Sequence, residues 1–137
     1  MTNIDTSVKF VSINIALITI SDSRSENEDR SGSFLNDRIT TFGHTVKKKL
    51  IITDDVELIK QTFLDLSNDA LIDVIISTGG TGLTGRDSTP EAVMALADKT
   101  IDGFGELFRQ LSFNKIATSA IQSRAIGAVV NNTYIFC

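Results

Sequence analysis

Short apolar runs alternate along this chain with segments of helical periodicity. The runs are rich in β-branched residues, which is typical of strands, and they lie at 10–20, 45–52, 74–76 and 133–137. Between them apolar residues recur every three or four positions, which predicts helices at 31–42, 56–66, from 89 onward and at 107–113. This alternation predicts one α/β domain, a three-layer α/β/α arrangement with a mainly parallel sheet.

Capping residues indicate where three of the helices begin or end. Gly43 follows the first helix, where glycine readily adopts the left-handed conformation. Asp54, with Glu57 three residues later, fits the N-cap of the second helix. Thr89 fits the N-cap of the third, with Pro90 at its first position.

A glycine-rich loop follows the strand at 74–76. It reads S-T-G-G-T-G at 77–82 and continues as L-T-G-R-D to Asp87. Glycines let backbone N–H groups approach a phosphate closely, and hydroxyls add uncharged donors. Asp87 would repel a phosphate unless a cation lay between them, so the loop indicates Mg²⁺. A tight turn also explains these residues, and neither G-x-x-x-x-G-K-[ST] nor G-x-G-x-x-G is present.

Polar residues also follow the first two strands. Open parallel sheets bind ligands at the carboxyl ends of their strands, and Thr19, Ser21 and Asp22 lie at that end of the first strand. A solvated connection explains these three residues equally well. Asp54 follows the second strand on the same edge, which would let Asp54 and Asp87 face one ligand, although helix capping alone also explains Asp54.

Four further polar features each have two interpretations. Glu106 either interacts with the dipole of its helix or points back at a bound hydroxyl or amine. Arg124 is either a phosphate or ribose contact or a surface ion-pair partner. His44 follows Gly43 and is interpreted as a surface turn residue rather than a base. The lysines at 47–49 indicate a solvated sheet edge rather than a binding patch.

Composition restricts the classes of function. The 137 residues are predicted to form a flexible segment at 1–9 and one domain at 10–137, with an ordinary content of 42% hydrophobic and 22% charged residues. A net charge of −4 disfavours nucleic acid as the main partner. Cys137 is the only cysteine, which excludes an internal disulfide and indicates a reducing compartment. The sequence has no signal-peptide pattern and no apolar stretch near the roughly 20 residues of a membrane span, so we expect a cytoplasmic protein.

Taken together, these motifs resemble the MoaB/MogA family of molybdenum cofactor biosynthesis proteins. The resemblance covers residues 13–137 and is carried by six motifs in the family's order. They are I-T-I-S-D at 18–22, S-T-G-G-T-G at 77–82, R-D-S-T-P-E at 86–91, G-F-G-E at 103–106, F-R-Q-L-S-F at 108–113 and Q-S-R-A at 122–125. The G-L-T-G-x-D form of the loop is closer to the MoaB branch than to MogA.

The resemblance implies the molybdopterin-binding fold of this family and Mg-ATP-dependent adenylylation of molybdopterin. The family's two functional aspartates fall on Asp54 and Asp87. Asp87 is implied to hold the metal and the reacting phosphates, and Asp54 to orient the substrate or a second metal. The residues implied to bind nucleotide and pterin are Thr19, Ser21, Asp22, Thr78, Gly79, Gly80, Thr81, Gly82, Glu106 and Ser123. The glycines and Thr81 among them would cradle phosphate.

The resemblance also implies a homo-oligomer, a trimer or a hexamer, and partners among other molybdenum cofactor biosynthesis proteins. Family members continue past the last strand into a further loop and helix, so residues 10–137 are expected to lack that part of the domain. The alternative function is a non-catalytic molybdopterin-binding or scaffold protein, which the presence of Asp54 and Asp87 disfavours. Molybdopterin-dependent insertion proteins and nicotinamide-recycling proteins share the loop within longer chains, and the short single-domain length disfavours them. The missing fingerprint disfavours a dinucleotide oxidoreductase.

Overall fold

The computed structural model describes residues 5–137, so the segment predicted at 1–9 lies partly outside the described residues. Strands and helices alternate along the described part. The strands are β1 Asn14–Ile20, β2 Thr45–Ile52, β3 Val74–Thr78, β4 Lys99–Thr100, β5 Gly127–Val130 and β6 Thr133–Phe136. The α-helices are α1 Arg30–Thr41, α2 Val56–Ser67, α3 Thr89–Leu96 and α4 Asp102–Ile116, and short 3₁₀ turns lie at Glu26–Glu28 and Ala117–Gln122.

The strands form one sheet in the order β2-β1-β3-β6-β5-β4. Strand β1 runs parallel to β2 and β3, and β3 runs parallel to β6, whereas β5 is antiparallel to both β6 and β4. The carboxyl ends of β1, β2 and β3 therefore meet at one edge of the sheet, which is where parallel α/β folds bind their ligands.

Apolar side chains cover both faces of the sheet, because successive strand residues point to opposite faces. Ile18 and Ile75 belong to one buried cluster together with Phe63 of α2, and all three are fully buried. Leu17 points the other way, into a second cluster that includes Ile39 of α1. The predicted three-layer α/β/α fold with a mainly parallel sheet is confirmed.

Helix α4 lies on the same face of the sheet as α1. The ring of Phe104 on α4 packs 4.9 Å, centroid to centroid, from the ring of Phe136 on β6, and Phe136 packs against the cluster that contains Leu17. At 15 residues α4 is the longest of the described helices. None of the described helices is long and apolar enough to cross a membrane.

The two outer strands of the sheet are β2 and β4. Lys47, Lys48 and Lys49 are all exposed on β2, and Lys48 pairs with the carboxylate of Asp69 at 3.4 Å. The prediction of a solvated lysine edge is confirmed. Strand β4 contributes only two residues to the opposite edge.

The first strand is shorter than the predicted span of 10–20. Its pairing begins at Asn14, opposite Thr45, and Phe10 is 60% exposed and packs beside the ring of His44. Phe10 and Val11 are apolar but exposed, and the backbone contact with β2 before Asn14 is the hydrogen bond from the Thr45 N–H to the Ile13 carbonyl at 3.0 Å. His44 accepts a hydrogen bond from the backbone N–H of Ile13 through Nδ1, which agrees with its interpretation as a turn residue.

Two helix caps lie one residue away from their predicted positions. Asp55, not Asp54, caps α2, because its side chain accepts a 2.9 Å hydrogen bond from the backbone N–H of Leu58. Ser88, not Thr89, is the N-cap of α3. The side chain of Asp54 binds Ser88 instead of capping its own helix. Helix α3 begins at Thr89, so Pro90 is its second residue and not its first as predicted.

The segment at 118–128, to which the sequence pattern assigned no strand, contains the end of a 3₁₀ turn and the start of β5. Strands β5 and β6 form a hairpin that turns at Asn131 and Asn132, whose φ angles are +49° and +67°. Asparagine tolerates this left-handed conformation better than most residues. Strand β5 was not predicted because it has only four residues, G-A-V-V, of which the first two are small.

Candidate functional site

Two glycines bring the loop after β3 against the neighbouring elements. Gly79 and Gly80 have φ angles of +96° and +71°, which L side chains rarely adopt. A Cβ on Gly79 would clash with the carbonyl oxygen of Ile20, and one on Gly80 would clash with the hydroxyl of Thr89. The Thr89 backbone N–H donates to the Gly80 carbonyl at 3.1 Å. The glycines are therefore required by close approach as well as by backbone conformation.

Asp54 ties the segment after β2 to the start of α3. Its carboxylate is almost fully buried, with 7% exposure. Oδ1 accepts hydrogen bonds from the backbone N–H of Ser88 at 3.1 Å and from the Ser88 hydroxyl at 2.5 Å. The predicted position of Asp54 on the same edge as the glycine loop is correct, and the carboxylate reaches the residue that follows Asp87.

Asp22 joins the end of β1 to the segment after β2 and to the glycine loop. Oδ1 accepts a hydrogen bond from the backbone N–H of Asp54 at 3.0 Å. Both carboxylate oxygens also receive the Arg86 guanidinium, at 2.8 and 3.0 Å. The hydrogen bonds from Arg86, followed by that from Asp54, lower the pKa of the Asp22 carboxyl below its usual value. Asp22 thus holds other residues of the site in place, in addition to its predicted position on the ligand edge.

Asp87 is held in an ionised form by its own loop. Oδ2 accepts hydrogen bonds from the Thr84 hydroxyl at 2.6 Å and from the Thr84 backbone N–H at 2.9 Å. These two bonds are the main cause of a lowered pKa for the Asp87 carboxyl, and Gly82 and the charge of Arg124 contribute in the same direction. A carboxylate with two lone-pair-bearing oxygens keeps further acceptor capacity after these bonds.

Arg124 reaches the same loop from the segment before β5. Its Nε donates to the carbonyl oxygen of Gly82 at 2.7 Å, and its Nη2 donates to that of Asp87 at 2.8 Å. Its Nη1 pairs with the carboxylate of Glu91 in the first turn of α3. Of the two interpretations open for Arg124, the structure displays the ion pair.

A recess of about 760 Å³ lies between α1 and α4. The two helices leave part of their sheet face uncovered at the end of β3. The apolar part of the wall is formed by Phe34, Leu35, Ile76, Phe104, Phe108, Ala125 and Phe136. The polar part comes from α1 and the glycine loop: Arg30, Ser31, Ser77, Thr78, Gly79 and Thr81. We call this recess the main cavity.

Two buried polar groups lie in the wall of the main cavity. The hydroxyl of Ser77 is buried without a hydrogen-bond partner in the described part of the chain. Burial raises the pKa of the Cys137 thiol, which lines the same cavity, to about 12. A buried hydroxyl that lacks a partner favours a ligand or water molecule that supplies one.

A smaller recess of about 400 Å³ lies on the other side of the glycine loop. Its wall includes Thr84, Asp87, Ser88, Glu91 and Arg124. We call it the acidic cleft. The loop at 77–88 therefore forms a wall of both recesses, with Thr78, Gly79 and Thr81 on the side of the main cavity and Asp87 on the other.

None of the three predicted site residues at the end of the first strand lines either recess. The same holds for three further predicted site residues, Asp54, Gly80 and Gly82. Thr19 is fully buried, and its hydroxyl donates to Asp29 at 2.7 Å. Asp29 in turn caps α1 by accepting a hydrogen bond from the Gly32 backbone N–H. Ser21 Oγ accepts from the backbone N–H groups of the next turn. Thr19 and Ser21 thus stabilise the segment between β1 and α1. They do not line the pocket as predicted.

Two other predicted residues are also displaced from the recesses. Glu106 is exposed on α4 and borders a separate shallow recess near β4. Ser123 Oγ accepts a hydrogen bond from the backbone N–H of Ala125. Glu106 lies next to the buried Gly105 on the helix, so the phase of α4 turns its side chain away from the main cavity.

Sequence reasoning missed the partners that hold the aspartates. Thr84, Arg86, Ser88 and Glu91 received no role, although all four lie in or beside the loop and the R-D-S-T-P-E motif. Their position in or beside these motifs was the signal in the sequence that could have indicated a role. Their roles depend on contacts with residues 3 to 64 positions away in sequence.

The described residues contain no group of three or more acidic, histidine or cysteine side chains able to hold a metal ion by themselves. This does not conflict with the predicted cation. Mg²⁺ is commonly bound by one or two carboxylates together with the phosphates of its substrate. Ionised Asp87, with the Thr84 and Ser88 hydroxyls beside it in the acidic cleft, is a donor set that fits such an ion.

Comparison with known proteins gives one consistent result. The sequence profile of the family described as probable molybdopterin binding domain matches residues 16–137. Molybdenum cofactor biosynthesis protein B of Escherichia coli K12 is 43% identical over 131 residues, which cover 95% of this chain and 76% of that protein. The protein of the same name from Bacillus cereus is 46% identical over 121 residues, covering 88% and 72%.

Solved structures agree with the sequence relatives. A crystal structure of molybdenum cofactor biosynthesis protein B superposes with a TM-score of 0.88 at 43% identity, over 92% of this chain and 79% of that one. The tungsten cofactor synthesizing protein MoaB from Pyrococcus furiosus gives a TM-score of 0.80 at 29% identity, over 91% and 80%.

Proposed function

The chain belongs to the MoaB/MogA family of molybdenum cofactor biosynthesis proteins, and we propose that it adenylylates molybdopterin with Mg-ATP. The observation that carries the proposal is the position of Asp87. This ionised carboxylate lies on a glycine loop that separates a large, partly aromatic cavity from an acidic cleft. A loop placed between two recesses is suited to bring two substrates together.

The proposed reaction joins molybdopterin to AMP. An oxygen of the terminal phosphate of molybdopterin attacks the α-phosphorus of ATP and forms a new P–O bond. The bond between the α-phosphorus and the bridging oxygen to the β-phosphate breaks, and pyrophosphate leaves with the electron pair. Such transfers need alignment and neutralisation of charge more than covalent participation by the protein.

Molybdopterin fits the main cavity better than the acidic cleft. The cavity has the volume typical of small-molecule sites and an apolar wall with a few polar groups. A flat pterin ring would pack against the phenylalanine side chains from α1 and α4. Thr78, Gly79 and Thr81 at its inner end would then receive the phosphate that has to meet ATP.

Asp54 and Asp87 act differently in this proposal. Asp87 would hold Mg²⁺, which supplies charge neutralisation at the phosphates when bound. Asp54 is committed to Ser88 through two hydrogen bonds, so its role is to fix the residue next to Asp87. Gly80 and Gly82 keep the loop backbone close enough to donate to phosphate oxygens.

Adenylylation of molybdopterin by the wild type and by Asp87→Asn tests the proposal. We expect product and pyrophosphate from the wild type and a loss of about 10²-fold or more in the variant, the scale seen when a single charge-stabilising group is removed. Asp65→Asn, which removes an exposed carboxylate bonded only to Gln61 on α2, is the matched control and should retain activity. Circular dichroism would show that all three proteins are folded.

The competing candidate is a non-catalytic molybdopterin-binding or scaffold protein. It shares the main cavity and needs no ionised carboxylate beside the second recess. A wild type that binds molybdopterin but releases no pyrophosphate from Mg-ATP would favour this candidate and overturn the adenylyltransferase.

We also propose that the chain forms a homo-oligomer, a trimer or a hexamer, through α4. The support is the set of apolar side chains of α4 outside the main cavity that are more than half exposed: Leu107, Leu111, Phe113 and Ile116. Exposed apolar surface of this extent is typical of protein–protein contacts.

A further inference from the structure

We propose that Arg124 and Glu91 are positioning residues for Asp87, which set the shape of the loop at 82–87 without contacting a substrate. The inference rests on the proposed function, because it gives a reason for holding Asp87 in one place. It removes Arg124 from the candidate phosphate ligands.

The first observation is which atoms of the loop Arg124 contacts. Its guanidinium donates to the carbonyl oxygens of Gly82 and Asp87, at 2.7 and 2.8 Å. These residues are the first and last of the loop segment, so one side chain joins its two ends. The backbone N–H of Arg124 also donates to the carbonyl of Thr81 at 3.2 Å. The loop is therefore fixed by both the main chain and the side chain of one residue.

The second observation is that Glu91 holds the guanidinium in this position. Its two carboxylate oxygens accept from Nη1 and Nη2 of Arg124, and Glu91 lies in the first turn of α3. A carboxylate is favoured at this end of a helix by the helix dipole. Since the same helix begins directly after Asp87 and Ser88, the loop and its clamp share one rigid support.

The third observation is that most of the guanidinium donors are already used. Four of its five N–H groups donate to protein oxygens. A phosphate could therefore accept from one N–H group at most without displacing a carbonyl or the Glu91 carboxylate. Only arginine can make this set of contacts, because its planar fork directs several N–H groups in different directions. The ammonium of lysine is a single point and cannot bridge two carbonyls and a carboxylate.

The kinetic test compares Arg124→Gln, Arg124→Lys and Glu91→Gln with the wild type. If Arg124 acts through Asp87, kcat falls by about tenfold or more while KM for both substrates changes by less than about twofold. Lysine, which restores the charge but not the bridge, should not rescue kcat. Arg38→Gln is the matched control: Arg38 lies on α1 over the ring of Phe42. A rise in KM with unchanged kcat would identify Arg124 as a substrate contact and overturn the inference.

A second readout does not depend on catalysis. Amide hydrogen exchange should be faster at residues 83–87 in Arg124→Gln and Glu91→Gln than in the wild type, with exchange in β1 and β3 unchanged. If the wild type proves inactive, the proposed function fails and this exchange pattern still decides the positioning role. Unchanged exchange in the loop of a folded Arg124→Lys or Glu91→Gln variant would overturn it.

Discussion

The buried carboxylate of Asp54 accepts two hydrogen bonds from Ser88, one from its backbone N–H and one from its hydroxyl. These residues are 34 positions apart in sequence. The bond pair occupies the Asp54 carboxylate, which does not cap its own helix, and the Ser88 hydroxyl, which makes no side-chain cap to α3. Because Ser88 directly follows Asp87 in the sequence, the same two bonds connect Asp54 to Asp87 through one residue.

Replacement of Asp54 by alanine should reduce both stability and activity. The Ser88 N–H and hydroxyl would lose their acceptor, which costs about 1–3 kcal/mol in the free energy of unfolding. Urea denaturation measures this cost. Asp55→Ala is the matched control: it removes the cap of α2, costs about 1 kcal/mol and should leave product formation unchanged. Equal losses of activity in both variants would contradict a specific role for Asp54.

Substitution of alanine at Gly79 or Gly80 should destabilise the protein by about 1–3 kcal/mol. Each position combines a positive φ with a clash for the added Cβ. Gly85→Ala in the same loop is the control, since nothing lies within 4 Å of its added Cβ, and it should change stability by less than about 0.5 kcal/mol. Thermal unfolding of the three variants would show whether Gly79 and Gly80 differ from Gly85.

Removal of the Thr84 hydroxyl should change the titration of Asp87. The hydrogen bonds from Thr84 hold the pKa of the Asp87 carboxyl below its usual value of 3.8. This favours the folded state fully above pH 3.8, and the contribution is lost as the pH falls through the lowered folded pKa. In Thr84→Val the pKa should rise towards 3.8, and stability should depend less on pH in this acidic range.

Carbon-13 NMR of the Asp87 carboxyl carbon during an acid titration measures this pKa directly. Thr84→Ser keeps the hydroxyl and should titrate like the wild type. An unchanged Asp87 titration in Thr84→Val would mean that the Thr84 hydroxyl does not control this carboxyl.

A charge on the outer face of α4 should dissociate the proposed oligomer. Leu111 is 57% exposed, and glutamate at this position would have to be buried between copies at a high cost. Sedimentation velocity should show a smaller species for Leu111→Glu than for the wild type. Leu58→Glu makes the same change at a leucine of α2 that is 41% exposed, and serves as the control. A wild type that sediments as a monomer would refute the proposal.

The sequence was most informative where the physical cause is local. β-Branched residues locate β2, which has the predicted bounds 45–52 although none of its residues is fully buried, because strand preference belongs to the residues themselves. Glycine spacing located the loop, because only glycine tolerates the backbone of Gly79 and Gly80. Position at a parallel strand end was enough to place Asp54 and Asp87 on one edge of the sheet.

Contacts between distant segments were not predictable in the same way. Arg124 was left with two interpretations because its partners, Gly82, Asp87 and Glu91, lie 33 to 42 positions earlier. Glu106 was misplaced because the sequence does not show which side of α4 packs against β5. Apolar spacing does not determine that side when several aromatic residues of the helix remain exposed. Thr19 was misplaced because Asp29, its buried partner, lies in a polar run that resembles an ordinary loop.

The two outer strands of the sheet limit how copies of this chain can associate. An outer strand presents free backbone N–H and C=O groups that can template edge-to-edge addition of another strand. Here β2 carries three consecutive exposed lysines, whose mutual repulsion opposes a second copy, and β4 is only two residues long. Growth of the sheet from molecule to molecule is thus blocked at both sides. Association is left to side chains on the helices, so assemblies of this chain should be finite and closed rather than fibrous.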